Sequence, residues 1–259
     1  MWRYLVLKTW HQAEEERRAH LAALPPGAAE KRVLSLLLAV CFGLTLARYG
    51  GSTAGFQTCT GGSGNLLGVV DDPGLAELSW WVALVLCGYV LIPGLVARCC
   101  LQLSLRDLGL RVPERGRDGW VYALALGIVI PLTFLVSATS EFQYTYPFYR
   151  LPEGADRSRL WVWELLYALQ FLGVEFLFRG LLVLGLRREL GMSAVFLAVL
   201  PYCMLHFNKP LLETLASIPA GLILGLLALK SRSILPGWGL HVSVALTMDL
   251  ASLWRQGLL

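Results

Sequence analysis

Seven near-continuous apolar stretches divide this chain, at about 33–49, 78–97, 120–138, 160–186, 192–207, 212–229 and 234–254. A helix rises about 1.5 Å per residue and the hydrocarbon core of a bilayer is about 30 Å thick, so stretches of this length are membrane spans. In that solvent each segment must satisfy its own backbone hydrogen bonds, which a helix does. The expected fold is all-α, a polytopic transmembrane helical bundle of about seven spans. Composition agrees: 56% of the 259 residues are hydrophobic and 15% are charged, against about 25% charged in soluble domains.

The stretches leave room for two parts, a cytosolic tail over 1–32 and a membrane domain over 33–259. The tail is polar and basic. Glu14-Glu15-Glu16-Arg17-Arg18 suits a short surface helix, and Pro25-Pro26-Gly27 ends it. Its Trp2, Tyr4, Leu5 and Trp10 fit a membrane surface or a plain cytosolic helix equally well. Charges from His11 to Arg18 follow a weak apolar start, which is not the pattern of a cleavable signal peptide. Lys31-Arg32, then Arg98, Arg106, Arg111, Arg115 and Arg117, then Arg187-Arg188, then Lys230 and Arg232 fall in alternate loops. The Gly- and Ser-rich loop 50–77 has no Lys or Arg and carries Asp71-Asp72. The positive-inside rule then sets the N-terminus in the cytoplasm and the C-terminus outside. Short loops suit a bacterial inner membrane. The net charge of +4 is spread over these loops, so no nucleic-acid surface is expected. Cys41, Cys87 and Cys203 read as small core residues in apolar segments, and no cysteine spacing suggests zinc or a disulfide framework.

A charge inside an apolar run is expensive unless it is paired or in use. Val174 to Gly185 reads V-E-F-L-F-R-G-L-L-V-L-G, with Glu175 and Arg179 one helical turn apart on one face. Tyr202 to His206 and His241 to Asp249 also bring polar groups into apolar surroundings. Counting from the inner edge, Glu175 lies roughly 18 Å deep, His206 roughly 22 Å, His241 roughly 12 Å and Asp249 roughly 24 Å. Three helices of alternating direction can therefore share one buried site. The bland readings are a structural ion pair for Glu175 and Arg179, and interhelical hydrogen bonds for the two histidines. Glu164, near the outer interface, reads as solvated, and Glu213 as a carboxylate favouring a helix N-terminus.

V-E-F-L-F-R-G-L-L resembles the first motif, E-E-x-x-x-R-G, of the CPBP family of intramembrane proteases. That family includes the CAAX prenyl endopeptidases and bacteriocin-processing or immunity proteins. Tyr202-Cys-Met-Leu-His206 resembles its second motif, an aromatic residue four before a histidine. His241-Val-Ser-Val-Ala245 resembles its last, H-x-x-x-N. The resemblance covers about 106–251. Two positions depart from it: Val174 replaces the first glutamate of the pair, and Ala245 replaces the asparagine.

The resemblance implies peptide hydrolysis without a metal. Glu175 would activate water, Arg179 would hold its carboxylate, and His206 and His241 would stabilise the oxyanion. Tyr202, Glu213 and Asp249 would support them, Asp249 supplying polarity one turn beyond Ala245. No cofactor is expected. The alternative is Zn²⁺ on Glu175, His206 and His241. The partners implied are membrane lipid and a membrane-anchored protein or peptide substrate. The two departures leave open an inactive relative acting as a scaffold or immunity protein, and Glu175 with Asp249 leaves open a proton-coupled transporter.

Overall fold

The computed structural model describes residues 2–62, 65–66, 70–113 and 119–258. The side chains of Trp2, Tyr4 and Leu5, and residues Arg115 and Arg117 of the basic loop, lie outside the described residues. Among the described residues the regular structure is helical apart from a two-residue antiparallel ladder, Asn65–Leu66 with Val70–Asp71. The helices are α1 (Trp2–Ala23), α2 (Ala28–Gly50), α3 (Thr53–Thr60), α4 (Pro73–Cys100), α5 (Gly119–Val136), α6 (Ser140–Thr145), α7 (Ser158–Gly185), α8 (Arg187–Leu190), α9 (Ser193–Met204), α10 (Leu211–Ser231) and α11 (Leu235–Arg255). Each predicted stretch coincides with a helix. Five of them, α2, α4, α5, α7 and α10, are long and apolar enough to cross a membrane. The shorter α9 is also apolar, and α11 fills the seventh stretch over 21 residues. The chain is a multi-pass membrane protein.

The chain forms two compact units. The first comprises Met1–Cys41, Val90–Arg117 and Val174–Gly237. At its centre is the second half of α7, whose ten residues Phe176–Gly185 wind as a π-helix and are all buried. A π-winding of this length is rare, since such turns usually occur singly and often at functional sites. Glycine lets the neighbouring chain come close here. A methyl group on Gly180 would lie 2.8 Å from the Leu108 carbonyl oxygen. Gly109, at φ +86°, accepts the Ile234 amide at 3.0 Å, tying the basic loop to the start of α11. That loop, read in the sequence only by its arginines, buries Leu101, Leu103 and Leu108.

The polar end of this unit explains α1. Glu189 is buried, and its carboxylate accepts from Arg32 Nε at 2.6 Å and faces His20 Nε2 at 3.1 Å. Arg17 Nε donates to the Glu189 carbonyl at 3.1 Å. Glu16 pairs with Arg232 and Arg187, and Glu14 accepts the Met192 amide at 3.1 Å at the start of α9. The expected short surface helix is therefore 22 residues long, because its charged face has partners on α8 and at the ends of α9 and α10. Arg32, Arg187 and Arg232, set on one side by their charge pattern, meet at this end.

The second unit comprises Phe42–Tyr89, Asp118–Gly173 and Trp238–Leu259. There α2 and α4 cross backbone to backbone at Gly43 and Gly88. A methyl group on Gly43 would overlap the Gly88 carbonyl. Small residues at a crossing allow this approach where lipid supplies no hydrophobic drive between helices. Asp72 caps α4 by accepting the Leu75 amide at 3.0 Å, and also accepts from Tyr149 Oη at 2.6 Å and Arg159 Nη1 at 2.9 Å. Trp163, Tyr167 and Tyr149 form its core with Leu75, Val82 and Ala245. Cys41 departs from its expected core position and is exposed on its helix, while Cys87 and Cys203 are half-buried.

Candidate functional site

The first unit carries Glu175, Arg179, Tyr202, His206 and Glu213. Glu175 closes the α-helical half of α7, and Arg179 lies in the first turn of its π-helical half. The expected ion pair is made, with Arg179 Nη1 3.0 Å from Glu175 Oε1. Both side chains are buried, at 1% and 2% exposure. Taking two charges out of water costs several kcal/mol per ion, and only close pairing offsets it.

The guanidinium also lies over the Tyr202 ring, 4.2 Å from its centroid. A cation over an aromatic face contributes about 0.5–2 kcal/mol, more when desolvated as here. Tyr202 is held edge-on by Phe178 at 5.3 Å, and Gly221 of α10 leaves room for its ring. So Glu175, Arg179 and Tyr202 form a continuous stack from carboxylate to cation to ring.

His206 meets the Tyr202 ring edge-on, with centroids 4.8 Å apart. The predicted span reached 207, but α9 ends at Met204 and His206 lies in the following turn. A helix leaves its last carbonyls without intrahelical partners, and His206 supplies one: its Nδ1 is 2.8 Å from the Tyr202 carbonyl oxygen. Thr214 Oγ1 of α10 fixes the turn by donating to the His206 carbonyl at 2.5 Å. A carbonyl only accepts, so Nδ1 carries the proton and Nε2 of the neutral ring carries the lone pair. Neutral His206 is therefore an acceptor at Nε2, and donates there only as the imidazolium. Glu213 stands in the first turn of α10, as expected of a carboxylate at a helix N-terminus, with Lys209 Nζ at 3.8 Å.

The second unit carries His241, Ala245 and Asp249, successive positions of one face of α11. The His241 ring stacks on Phe171 with centroids 5.3 Å apart and planes 7° apart. Ala245 packs into the aromatic core, so the position of the family asparagine is apolar here. Asp249 is fully buried and accepts from Trp163 Nε1 at 3.1 Å. Glu164 is half-buried and hydrogen-bonded to Asp249, not simply solvated as expected for a residue near the interface. Val174, in the first unit, is likewise buried where the family has its first glutamate.

One neighbour of Glu175 went unnoticed in the sequence. Gly237, in the first turn of α11, lies against the carboxylate, and a methyl group there would sit 3.1 Å from the carboxyl carbon and overlap Oε2. A search for polar residues in apolar runs passes over a glycine. Among the described residues no three His, Cys, Asp or Glu side chains gather closely enough to hold a metal ion.

No curated protein and no solved structure matches the chain. A family match does exist and covers well under half of it. Residues 156–247, which hold Glu175, Arg179, Tyr202, His206, Glu213, Gly237 and His241, match the family model described as Type II CAAX prenyl endopeptidase Rce1-like, a model of the CPBP family.

Proposed function

We propose that this protein is an intramembrane endopeptidase that hydrolyses a peptide bond of a membrane-anchored protein or peptide, with Glu175 as the base. The observation that carries the reading is the buried Glu175–Arg179 pair, with Arg179 over the Tyr202 ring and His206 edge-on to that ring, inside the matched segment. Glu175 takes a proton from water as the water oxygen bonds to the scissile carbonyl carbon. The carbonyl oxygen becomes an oxyanion. On collapse the carbon–nitrogen bond breaks and the proton passes from Glu175 to the leaving nitrogen. Arg179 holds the carboxylate in one orientation throughout. His241 and protonated His206 would donate to the oxyanion; neutral His206, with its lone pair on Nε2, would instead accept a proton during water activation. Tyr202 positions both Arg179 and His206, Glu213 supports the turn that carries His206, and Asp249 supports α11. With Glu175 at 1% exposure, hydrolysis also requires an opening step that admits water.

The same reading takes the segment 1–32 as cytoplasmic and 33–259 as the membrane domain, with the protease core at about 106–251. The N-terminus then faces the cytoplasm, in a bacterial inner membrane. We propose a metal-free mechanism, with Zn²⁺ on Glu175, His206 and His241 as the alternative. The inactive-scaffold reading rests on one observation of its own: Val174 is buried and Ala245 packs into an aromatic core.

The test uses purified full-length protein in phosphatidylcholine–phosphatidylglycerol liposomes, with internally quenched farnesylated CAAX peptides and membrane-anchored peptides as probes. Wild type should cleave at least one, and Glu175→Gln should lower the rate by at least about 100-fold. A zinc chelator should leave the rate unchanged. Full activity in Glu175→Gln would refute the assigned base, and loss to chelator would move the site to metal.

A further inference from the structure

We propose that Gly237 is a positioning residue for the Glu175 carboxylate, its missing side chain being what lets the first turn of α11 close onto that carboxylate. The inference deepens the reading of Glu175 as the base and rests on it.

Each oxygen of Glu175 has its own neighbour. Oε1 is held by Arg179 Nη1 at 3.0 Å, and Oε2 lies in the space that a Gly237 side chain would fill. The two contacts fall on different oxygens and come from different elements, one from the π-helical half of α7 and one from the start of α11. Together they leave the carboxylate little room to turn about its terminal torsion, which is otherwise broad. The backbone does not explain the glycine, since Gly237 has no positive φ. Helix propensity opposes it, because glycine in a helix costs about 0.5–1 kcal/mol relative to alanine. Gly239, two residues on, has nothing within 4 Å of an added methyl group. The atom that would yield at Gly237 is the far end of a flexible side chain, so alanine there moves Glu175 and leaves the helices where they are.

This contrast defines the experiment. Gly237→Ala, Gly239→Ala, Glu175→Asp, Glu175→Gln and the doubles of Gly237→Ala with each Glu175 change are made in the full chain. With the quenched farnesylated peptide, Gly237→Ala should lower kcat about 100-fold with KM little changed, the cost of misplacing a catalytic group by about 1 Å. Gly239→Ala should match wild type. Aspartate is one methylene shorter and makes room for the added methyl, so Gly237→Ala/Glu175→Asp should be at least as active as Gly237→Ala alone. Unchanged kcat in Gly237→Ala, an equal loss in Gly239→Ala, or multiplied losses in the Gly237→Ala/Glu175→Asp double would overturn the proposal.

Thermal unfolding in detergent gives a readout that needs no substrate, so a failed function reading is told apart from a failed positioning role. Relative to Gly239→Ala, Gly237→Ala should lower Tm by about 3 °C or more in the wild-type and Glu175→Gln backgrounds, and by less in the Glu175→Asp background. An equal fall in all three backgrounds, or none in any, would overturn it.

Discussion

Arg179→Met is the perturbation that bears most directly on the buried pair. It removes the cation 3.0 Å from Glu175 and leaves a carboxylate at 1% exposure without that counter-ion. Breaking a buried pair by removing one partner costs about 3–5 kcal/mol, because the remaining charge stays desolvated. The contact of the guanidinium with the Tyr202 ring, at 4.2 Å, is lost in the same step and puts the effect in the upper half of that range. At about 2–4 °C per kcal/mol for a chain near this size, Tm should fall by about 8–20 °C. The companion variant Glu175→Leu/Arg179→Met removes both charges and fills the space with apolar atoms. Such replacements are often neutral or stabilising, so the double should melt above Arg179→Met by several degrees. Thermal unfolding of all four proteins in one detergent, followed by circular dichroism, completes a double-mutant cycle with an expected coupling of at least about 3 kcal/mol. Additive losses across the cycle would refute the reasoning: they would mean that the pair contributes nothing as a pair.

Three further outcomes follow from the same structure. Gly43→Leu should prevent folded protein from accumulating, because its side chain would have to occupy the backbone of Gly88; normal yield and Tm on a detergent-solubilised sample would contradict the crossing. For Asp72, burial alone would raise the pKa, but hydrogen bonds from Tyr149, the Leu75 amide and Arg159 outweigh it and hold the carboxyl below its ordinary value. A depressed carboxyl stabilises the fold above its unfolded pKa and loses that contribution as pH falls through the folded value. The Tm advantage of wild type over Asp72→Asn should therefore be full at pH 7 and close as the pH drops through and below the ordinary carboxylate range; a gap independent of pH would refute it. Arg32→Met should cost about 2 kcal/mol by removing a charge-assisted hydrogen bond to buried Glu189, read as a lower Tm, and an unchanged Tm would refute the role given to that contact.

The elements whose causes are local were legible in advance. All seven apolar stretches became helices, and five of them are long and apolar enough to cross a bilayer, because both properties are written locally in the chain. The Glu175–Arg179 contact and the link from Tyr202 to His206 were legible because both are spaced by four, which brings side chains together within one helix or its last turn. What escaped notice depends on partners far away in sequence. The π-winding after Glu175 accompanies the approach of Leu108 to Gly180, a contact between segments about seventy residues apart. The end of α9 two residues before His206 follows from a side chain capping a helix carbonyl, where hydropathy alone ran the span through. The length of α1 reflects Glu189, Met192, Arg187 and Arg232, none of them near it in the chain. Gly237 was invisible because its contribution is the absence of atoms.

The two departures from the family motifs bear on activity through packing. Val174 is buried, and Ala245 packs with Leu75, Val82, Tyr149, Trp163 and Tyr167. Those positions are thus integrated into the core, and polarity on α11 is carried one turn on by Asp249, which Trp163 holds. The Glu175–Arg179 pair is a different case. A buried ion pair is poor value for stability, since apolar residues of similar volume commonly do as well or better. A fold that needed only to stand in the membrane has no energetic reason to keep one there. Its presence at the Tyr202 ring, with Gly237 against the carboxylate, is the feature that the chemistry proposed at Glu175 would use.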